Sequence, residues 1–454
     1  MAPNNTSITA ALVASAAAFY FAKKKAHPLS SCGAPRGRAR VFTLAAVDRT
    51  DSPGGATAGP PGRPAAHYLD VAEPAVDIPV AELFAPGSDF VLYAVEDVGG
   101  ESPYLVFAAL PPAERAAVWR DEAFIDRGLR KHLALDAEVA VASLASVEDA
   151  VKAARRNLAS GAWRVSFIWN TGRCGSTLLH RATTNLGAVS LSEPHWLDQL
   201  MYGHGGADPA KLRRALAACV AAEATVARLQ GGWRGATQFF LNPKAGPHAL
   251  VPEAAAAFPT STHVYVYRAC EQVVQSFAGL KFGGGIPAPL RLMWLLGRGP
   301  LPTRPELKGV SSWPVAFLAT RWVESVAGWA DLVAARRAAH GPGDPVGGAL
   351  NVRFDEFTSE DLALRAAVLR EVLAHVGLVA ADADAGALAP ALAAFEKHSQ
   401  AGSAMSGPKA KVVQDADLPA IRACVAAGLA ATDVVVEGGG ANVLLPRSAG
   451  AARP

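Results

Sequence analysis

Cysteine is scarce, with five residues in 454, at positions 32, 174, 219, 270 and 424. The number is odd and the spacing wide, so no disulfide framework is laid out. Cys-x-x-Cys, His-Glu-x-x-His and EF-hand patterns are all missing, and the eleven histidines are scattered without paired spacing. No metal site is therefore written in the sequence. Net charge is only +3, with no basic stripe and no RNP signature, which argues against a dedicated nucleic-acid binder. No repeat with a period of roughly 20 to 50 residues is visible, which excludes a solenoid or propeller.

What is present is apolar: 51% of the residues are hydrophobic, enough for a sizeable core over a length that fits two domains. Charge is unevenly placed. Residues 1–40 carry Lys23, Lys24, Lys25, Arg36, Arg38 and Arg40 and no acid, so the remainder is net negative. Residues 8–22 form an uncharged Ala-rich stretch ending Phe19-Tyr20-Phe21-Ala22, directly before the three lysines. Three readings of segment 1–40 stand. It is a membrane anchor with its lysines on the cytosolic side, an organelle transit peptide, or an Ala-rich tail without structure. The first two predict membrane association or organelle targeting. A basic region before the apolar run is missing, so a secretory signal fits poorly.

Residues 52–64 are rich in Pro and Gly and read as a linker. Segments 90–95 and 104–109 read as a hairpin around Gly99-Gly100. Helical stretches are expected over 112–133 and 147–158, and residues 41–155 form an extension whose role the sequence leaves open. From Trp163 onward apolar strands alternate with helical segments. Strands are expected at 164–169, 237–241, 263–267 and 349–354, and a long helix over Thr320–His340 with Trp322 and Trp329 as core. That alternation predicts an α/β fold, a three-layer α/β/α sandwich on a mainly parallel sheet spanning 156–445.

The most informative segment is Arg164 to Leu179, where an apolar run ends in Thr171-Gly172-Arg173-Cys174-Gly175-Ser176-Thr177 and an apolar-periodic helix follows. A strand, Gly-rich turn and helix in that order present backbone N–H groups to an anion. Gly175 permits close backbone approach. Arg173 adds fixed charge, and Ser176 and Thr177 add hydroxyl donors. A plain strand-to-helix turn is the bland alternative. No Lys follows Gly175, so this is not a Walker A loop.

Gly172 to Leu179 does resemble the 5′-phosphosulfate loop of sulfotransferases that use 3′-phosphoadenosine 5′-phosphosulfate (PAPS), with Cys174 where Ser is commoner. Three further segments match that family in order. His263–Tyr267, ended by Arg268 and followed by a helix bearing Ser276, resembles its 3′-phosphate site, although Ala269 stands where the family usually has Asp. Thr237–Lys244 resembles the strand whose terminal Lys lies near the transferred sulfuryl group. Asn351–Phe357, before the helical stretch Ser359–Val376, resembles the late Arg-Tyr-Glu-Asp-Leu strand. The resemblance covers about Trp163 to Leu378 and is nearest the membrane-associated, tyrosylprotein-type branch.

It implies a P-loop, sulfotransferase-like fold. PAPS would be co-substrate, adenosine 3′,5′-bisphosphate the product, and no metal would be required. Arg173, Cys174, Gly175, Ser176, Thr177, Leu178, Arg268 and Ser276 would hold the nucleotide. Arg173 and Lys244 would stabilise the departing charge. Glu193 lies twenty residues past Arg173, the offset of the catalytic Glu in the tyrosylprotein and heparan branches. It is the expected base, with His195 the rival because an unperturbed imidazole titrates nearer neutrality. Pro194 is expected to keep Glu193 extended. Residues 396–403 are a candidate cover over the nucleotide. The acceptor is left open among carbohydrate, lipid, tyrosyl peptide and small hydroxy compounds. An atypical P-loop kinase, and a nucleotide- or partner-binding protein without catalysis on the same fold, are the alternatives; Ala269 keeps the second in play.

Overall fold

The computed structural model describes residues 27–30, 33–49, 63–122, 124–202, 206–229, 233, 235–245, 248–278, 304–310, 312–341, 343–396 and 411–446. The apolar run at 8–22 with its lysines, the core of the 52–64 linker and the 397–403 part of the candidate cover lie outside them. Among the described residues no helix is long and apolar enough to cross a membrane.

The first half of the chain builds an antiparallel sheet. Strands β1 (Arg38–Val47), β2 (Leu69–Pro79), β3 (Phe90–Glu96), β4 (Tyr104–Ala109) and β5 (Glu138–Ser143) lie in the order β2-β1-β5-β4-β3. The hairpin expected from alternating apolar runs is β3–β4, paired antiparallel from Phe90 with Ala109 to Glu96 with Tyr104. Both helical stretches expected in this half are divided. The single helix over 112–133 is two, α1 (Pro112–Asp121) and α2 (Ile125–His132), because Glu122 and Phe124 are extended between them. The break lets α2 fold back until a Cβ at Gly128 would lie 2.9 Å from Val118. Residues 147–158 are likewise α3 (Leu144–Ala150) and α4 (Lys152–Ala159), interrupted at Val151. Ser143 caps α3 by accepting from the Ser146 N–H.

The second half is α/β. Strands β6 (Arg164–Asn170), β7 (Val189–Ser192), β8 (Gln238–Asn242), β9 (Thr262–Tyr267) and β10 (Leu350–Arg353) form an all-parallel sheet in the order β10-β9-β6-β8-β7. β7 was not among the four expected strands; its four residues are too few to show a periodicity. Helices α5 (Ser176–Asn185), α6 (His195–Tyr202), α7 (Pro209–Leu229), α8 (Val251–Ala257) and α9 (Cys270–Ala278) lie between the strands. They are followed by α10 (Trp313–His340), α11 (Leu362–His375), α12 (Ala385–Leu392) and α13 (Leu418–Leu429). α10 starts seven residues before Thr320, at a Trp313-Pro314 pair that seats proline in the first turn.

Strand periodicity of two divides the parallel sheet's side chains between two cores. Ile168, Phe240, Val264, Val266 and Val352 pack with α5, α11 and α12. Phe167, Trp169, Phe239, Leu241 and Tyr265 pack with α6, α7, α8 and α10, and the same apolar cluster runs on through β3, β4 and β5. The antiparallel sheet is thus fused to one face of the parallel one. Trp322 and Trp329 are core, as expected, at 3% and 0% exposure.

Candidate functional site

Chain direction changes around β6. The connection after β6 leads to β7 at one edge, while the connection after β9 leads to β10 at the other. In open parallel sheets the crevice between two such strands, at their carboxyl ends, is where ligands bind. Arg173 follows β6 and Arg268 follows β9, so the two arginines stand at the carboxyl ends of this pair of strands. The Arg173 Nε donates to Ser276 Oγ of α9 at 2.8 Å, and an Arg268 Nη1 donates to the Arg173 carbonyl at 3.3 Å. Arg268 is further held by Gln272 at 2.7 Å and lies 4.3 Å over the Phe354 ring. The Trp322 indole donates to its carbonyl. Burial and mutual repulsion lower the pKa of Arg173, with Glu193 opposing.

The turn itself is built under constraint. Gly172, Arg173 and Gly175 all have left-handed φ, at 77°, 55° and 82°. A Cβ at Gly175 would meet Phe357 at 2.8 Å and Phe354 at 2.9 Å, so glycine is required there by packing as well as by φ. Gly175 caps α5, its carbonyl accepting from the Leu178 and Leu179 N–H groups at 2.8 and 3.3 Å, and the N–H groups ahead of these lie before any carbonyl of the helix that could accept from them. Ser176 and Thr177 open α5 with buried side chains, and Leu178 is half-buried. Cys174 is fully buried, and that burial pushes its thiol up to about 11, so it fills space and is not a nucleophile at neutral pH.

A row of amides fixes the ends of β6, β8 and β7 to one another. Asn170 Oδ1 accepts from the Gly172 N–H at 2.8 Å. Its amide donates to Asn242 at 3.3 Å and to the Pro243 carbonyl at 2.8 Å. Asn242 in turn donates to Ser192 Oγ at 3.1 Å. One residue beyond this row, the Glu193 N–H donates to the Asn242 carbonyl at 2.7 Å, so Glu193 and Lys244 emerge side by side from neighbouring strands.

Glu193 is not extended, as its place before Pro194 predicted, but has φ of 52°. The cause is local: its N–H still prolongs the parallel ladder while α6 begins two residues later, leaving one residue to reverse the chain. A non-Gly residue with such φ is held there by its surroundings. Burial raises the Glu193 carboxyl to about 8. Lys244 and Arg173 oppose this, while Asp198 and Asp126 add to it.

Lys244 is ion-paired with Asp198 of α6, whose side chain is only 1% exposed. Burial acts against the Lys244 ammonium, but the Asp198, Glu193 and Asp126 carboxylates outweigh it and raise its pKa. His195 opens α6, one turn before Asp198. It stacks on Tyr93 of β3 at 5.0 Å, meets Tyr68 edge-on, and bonds through Nε2 to the Arg63 carbonyl at 2.9 Å. Burial lowers it to about 4, so it is neutral at physiological pH.

The structure therefore brings Arg173, Gly175, Ser176, Thr177, Arg268 and Ser276 together at one crevice, with Glu193 and Lys244 beside it. It sets His195 against the antiparallel sheet. Sequence reasoning missed Asp198, Asp126 and the Asn170–Asn242–Ser192 row. A polar residue closing each apolar strand was the available signal for the row. Compared with protein-family models and with curated proteins, the chain matches none.

Proposed function

We propose that this protein is a PAPS-dependent sulfotransferase. It would move a sulfuryl group to a hydroxyl or amine acceptor on a three-layer α/β/α fold of the P-loop, sulfotransferase-like kind. The observation that carries the reading is the convergence of Arg173, Ser276 and Arg268 at the β6–β9 crevice, from loop and helix segments about a hundred residues apart in sequence. Two guanidiniums suit two separate phosphate groups, since each makes paired, charge-assisted hydrogen bonds to anionic oxygens. The α5 N-terminus supports the 5′-phosphosulfate end, and Arg268 with Ser276 supports the 3′-phosphate.

On this reading the acceptor enters beside Glu193. Its carboxylate takes the acceptor proton as the acceptor oxygen or nitrogen attacks sulfur in line, and the bridging oxygen leaves with the nucleotide. A carboxyl raised to about 8 is a stronger base than an ordinary one when ionised, and the ionised fraction that can take the proton grows as pH rises toward 8. Arg173 and Lys244 would meet the charge developing on the leaving oxygen. Burial lowers His195 to about 4 and its ring is packed on Tyr93, so it is a weak base with little freedom to reach an acceptor, which favours Glu193.

The test is ligand choice. Adenosine 3′,5′-bisphosphate should raise the melting temperature, because a ligand of the native state alone shifts unfolding by mass action. AMP, lacking the 3′-phosphate, should do much less. Equal shifts would remove the role given to Arg268 and Ser276, and stabilisation by Mg-ATP alone would favour a kinase. Transfer of label from PAPS into a metabolite extract would then identify the acceptor.

A further inference from the structure

The antiparallel sheet has no part in the reading above, yet it grips α6, the helix that follows Glu193. Gln199 of α6 is the main tie. Its carbonyl accepts from the Val95 N–H at 2.8 Å, and its amide donates to Glu96 at 2.9 Å and to the Arg63 carbonyl at 3.0 Å. His195, one helical turn earlier, stacks on Tyr93, and the Tyr93 hydroxyl is 3.3 Å from Asp126. Asp198 lies between these two anchors and turns toward Lys244. Of its two oxygens one meets the Lys244 ammonium, and the other, Oδ1, is buried with no hydrogen-bond partner.

A buried carboxylate with half of its acceptor capacity unused is costly to keep. Asn at this position would occupy the same volume without the charge, so the charge itself needs a reason. Lys244 emerges beside Glu193 from the neighbouring strand. Without Asp198, its ammonium would have Glu193 as the nearest carboxylate partner. An ammonium bonded directly to Glu193 would weaken it as a base and draw Lys244 away from the crevice.

We propose that Asp198 is a positioning residue: it holds Lys244 off Glu193, and the antiparallel sheet serves the site by fixing the helix from which Asp198 reaches. The inference rests on Glu193 being the base, but its test does not need the acceptor. The charged groups facing Glu193 are Lys244 at the end of β8, Asp198 on α6, Asp126 on α2 and Arg173 in the β6–α5 turn. Only the first two are altered below.

Glu193 is titrated by carbon-13 NMR in the full chain labelled at glutamate side-chain carboxyls, its signal assigned by loss in Glu193→Gln. Asp198→Asn removes a negative neighbour and releases Lys244 toward Glu193, so the midpoint should fall by about one pH unit or more, the size of a new opposite-charge contact. Lys244→Met should move it the other way. Asp198→Glu should restore the native value in part, which a merely structural role does not require. Should Asp198→Asn fail to fold, Asp198→Ser carries the same expectation. An unchanged Glu193 midpoint in the folded Asp198 variants overturns the proposal. If the midpoint moves as expected but adenosine 3′,5′-bisphosphate does not bind, the positioning stands and the sulfotransferase reading falls.

Discussion

Arg173 and Ser276 are 103 positions apart in sequence and joined by one hydrogen bond of 2.8 Å, from guanidinium Nε to hydroxyl. That bond ties the turn after β6 to the last turn of α9, so the two ends of the proposed nucleotide site are coupled before any ligand arrives. The coupling is measurable. Arg173→Ala, Ser276→Ala and the double variant, each assayed for adenosine 3′,5′-bisphosphate affinity, should be non-additive by about 1.5–3 kcal/mol, the range of a hydrogen bond to a charged group. Additive losses would mean that the residues act on separate parts of the ligand.

Glu193→Gln keeps shape and hydrogen bonding and removes basicity. Turnover should fall by ~10²–10⁴, the usual contribution of a general base, with nucleotide affinity nearly unchanged. His195→Asn should instead lower the melting temperature, because it breaks the stack on Tyr93 and the bond to Arg63, and should spare turnover per folded molecule. The reverse pattern would make His195 the base.

Two glycines separate backbone strain from packing. Gly175 and Gly187 have nearly equal φ, 82° and 85°, but only Gly175 has side chains where a Cβ would go. Gly187→Ala should cost about 1–2 kcal/mol for its left-handed backbone. Gly175→Ala should cost roughly 1–3 kcal/mol more, from displacing Phe354 and Phe357, and should also weaken the nucleotide. Denaturant titrations of both variants decide it, and equal losses would mean that the two rings yield freely.

Stability should fall as pH rises from about 6.5 to 8. Burial raises both Glu223 and Glu193 from 4.5 to about 8, in Glu223 against its hydrogen bond from Trp196 and the nearby Arg115. The folded state therefore keeps a proton that the unfolded chain loses, and in that interval stability declines with pH. Burial holds His180 and His263 near 3 and His248 near 4, below their ordinary 6.5, so their effect has the opposite sign and lies at lower pH. Glu223→Gln should make the decline in melting temperature between pH 6.5 and 8 shallower, with Glu193 supplying the rest. An unaltered slope would mean that Glu223 is ionised in the native protein.

The strands that place the site were legible because each is an apolar run ended by a polar residue, as Arg164–Asn170 and Thr262–Tyr267 with Arg268 show. The partnership of Arg173 with Ser276 was legible only as two members of one motif order, since nothing local to either states the contact. Asp198 was invisible. In sequence it is one polar residue in Trp196-Leu197-Asp198-Gln199-Leu200, a pattern that reads as an ordinary amphipathic helix, and only the crossing of α6 between two sheets buries it. The φ of Glu193 was misread for a related reason. Proline's local preference for an extended predecessor is weaker than the demand that β7 and α6 meet within two residues.

The core shared by the two sheets also sets an order of events during synthesis. β1 to β5 leave the ribosome first, yet the apolar side of β3 that includes Tyr93 and Val95 is covered by α6 and α7, made about a hundred residues later. At ~5–20 residues per second that is a wait of roughly 5–20 s with an open hydrophobic face. The nascent chain is at its most adhesive in that interval, before Lys244, Arg268 and Ser276 of the proposed site have been translated.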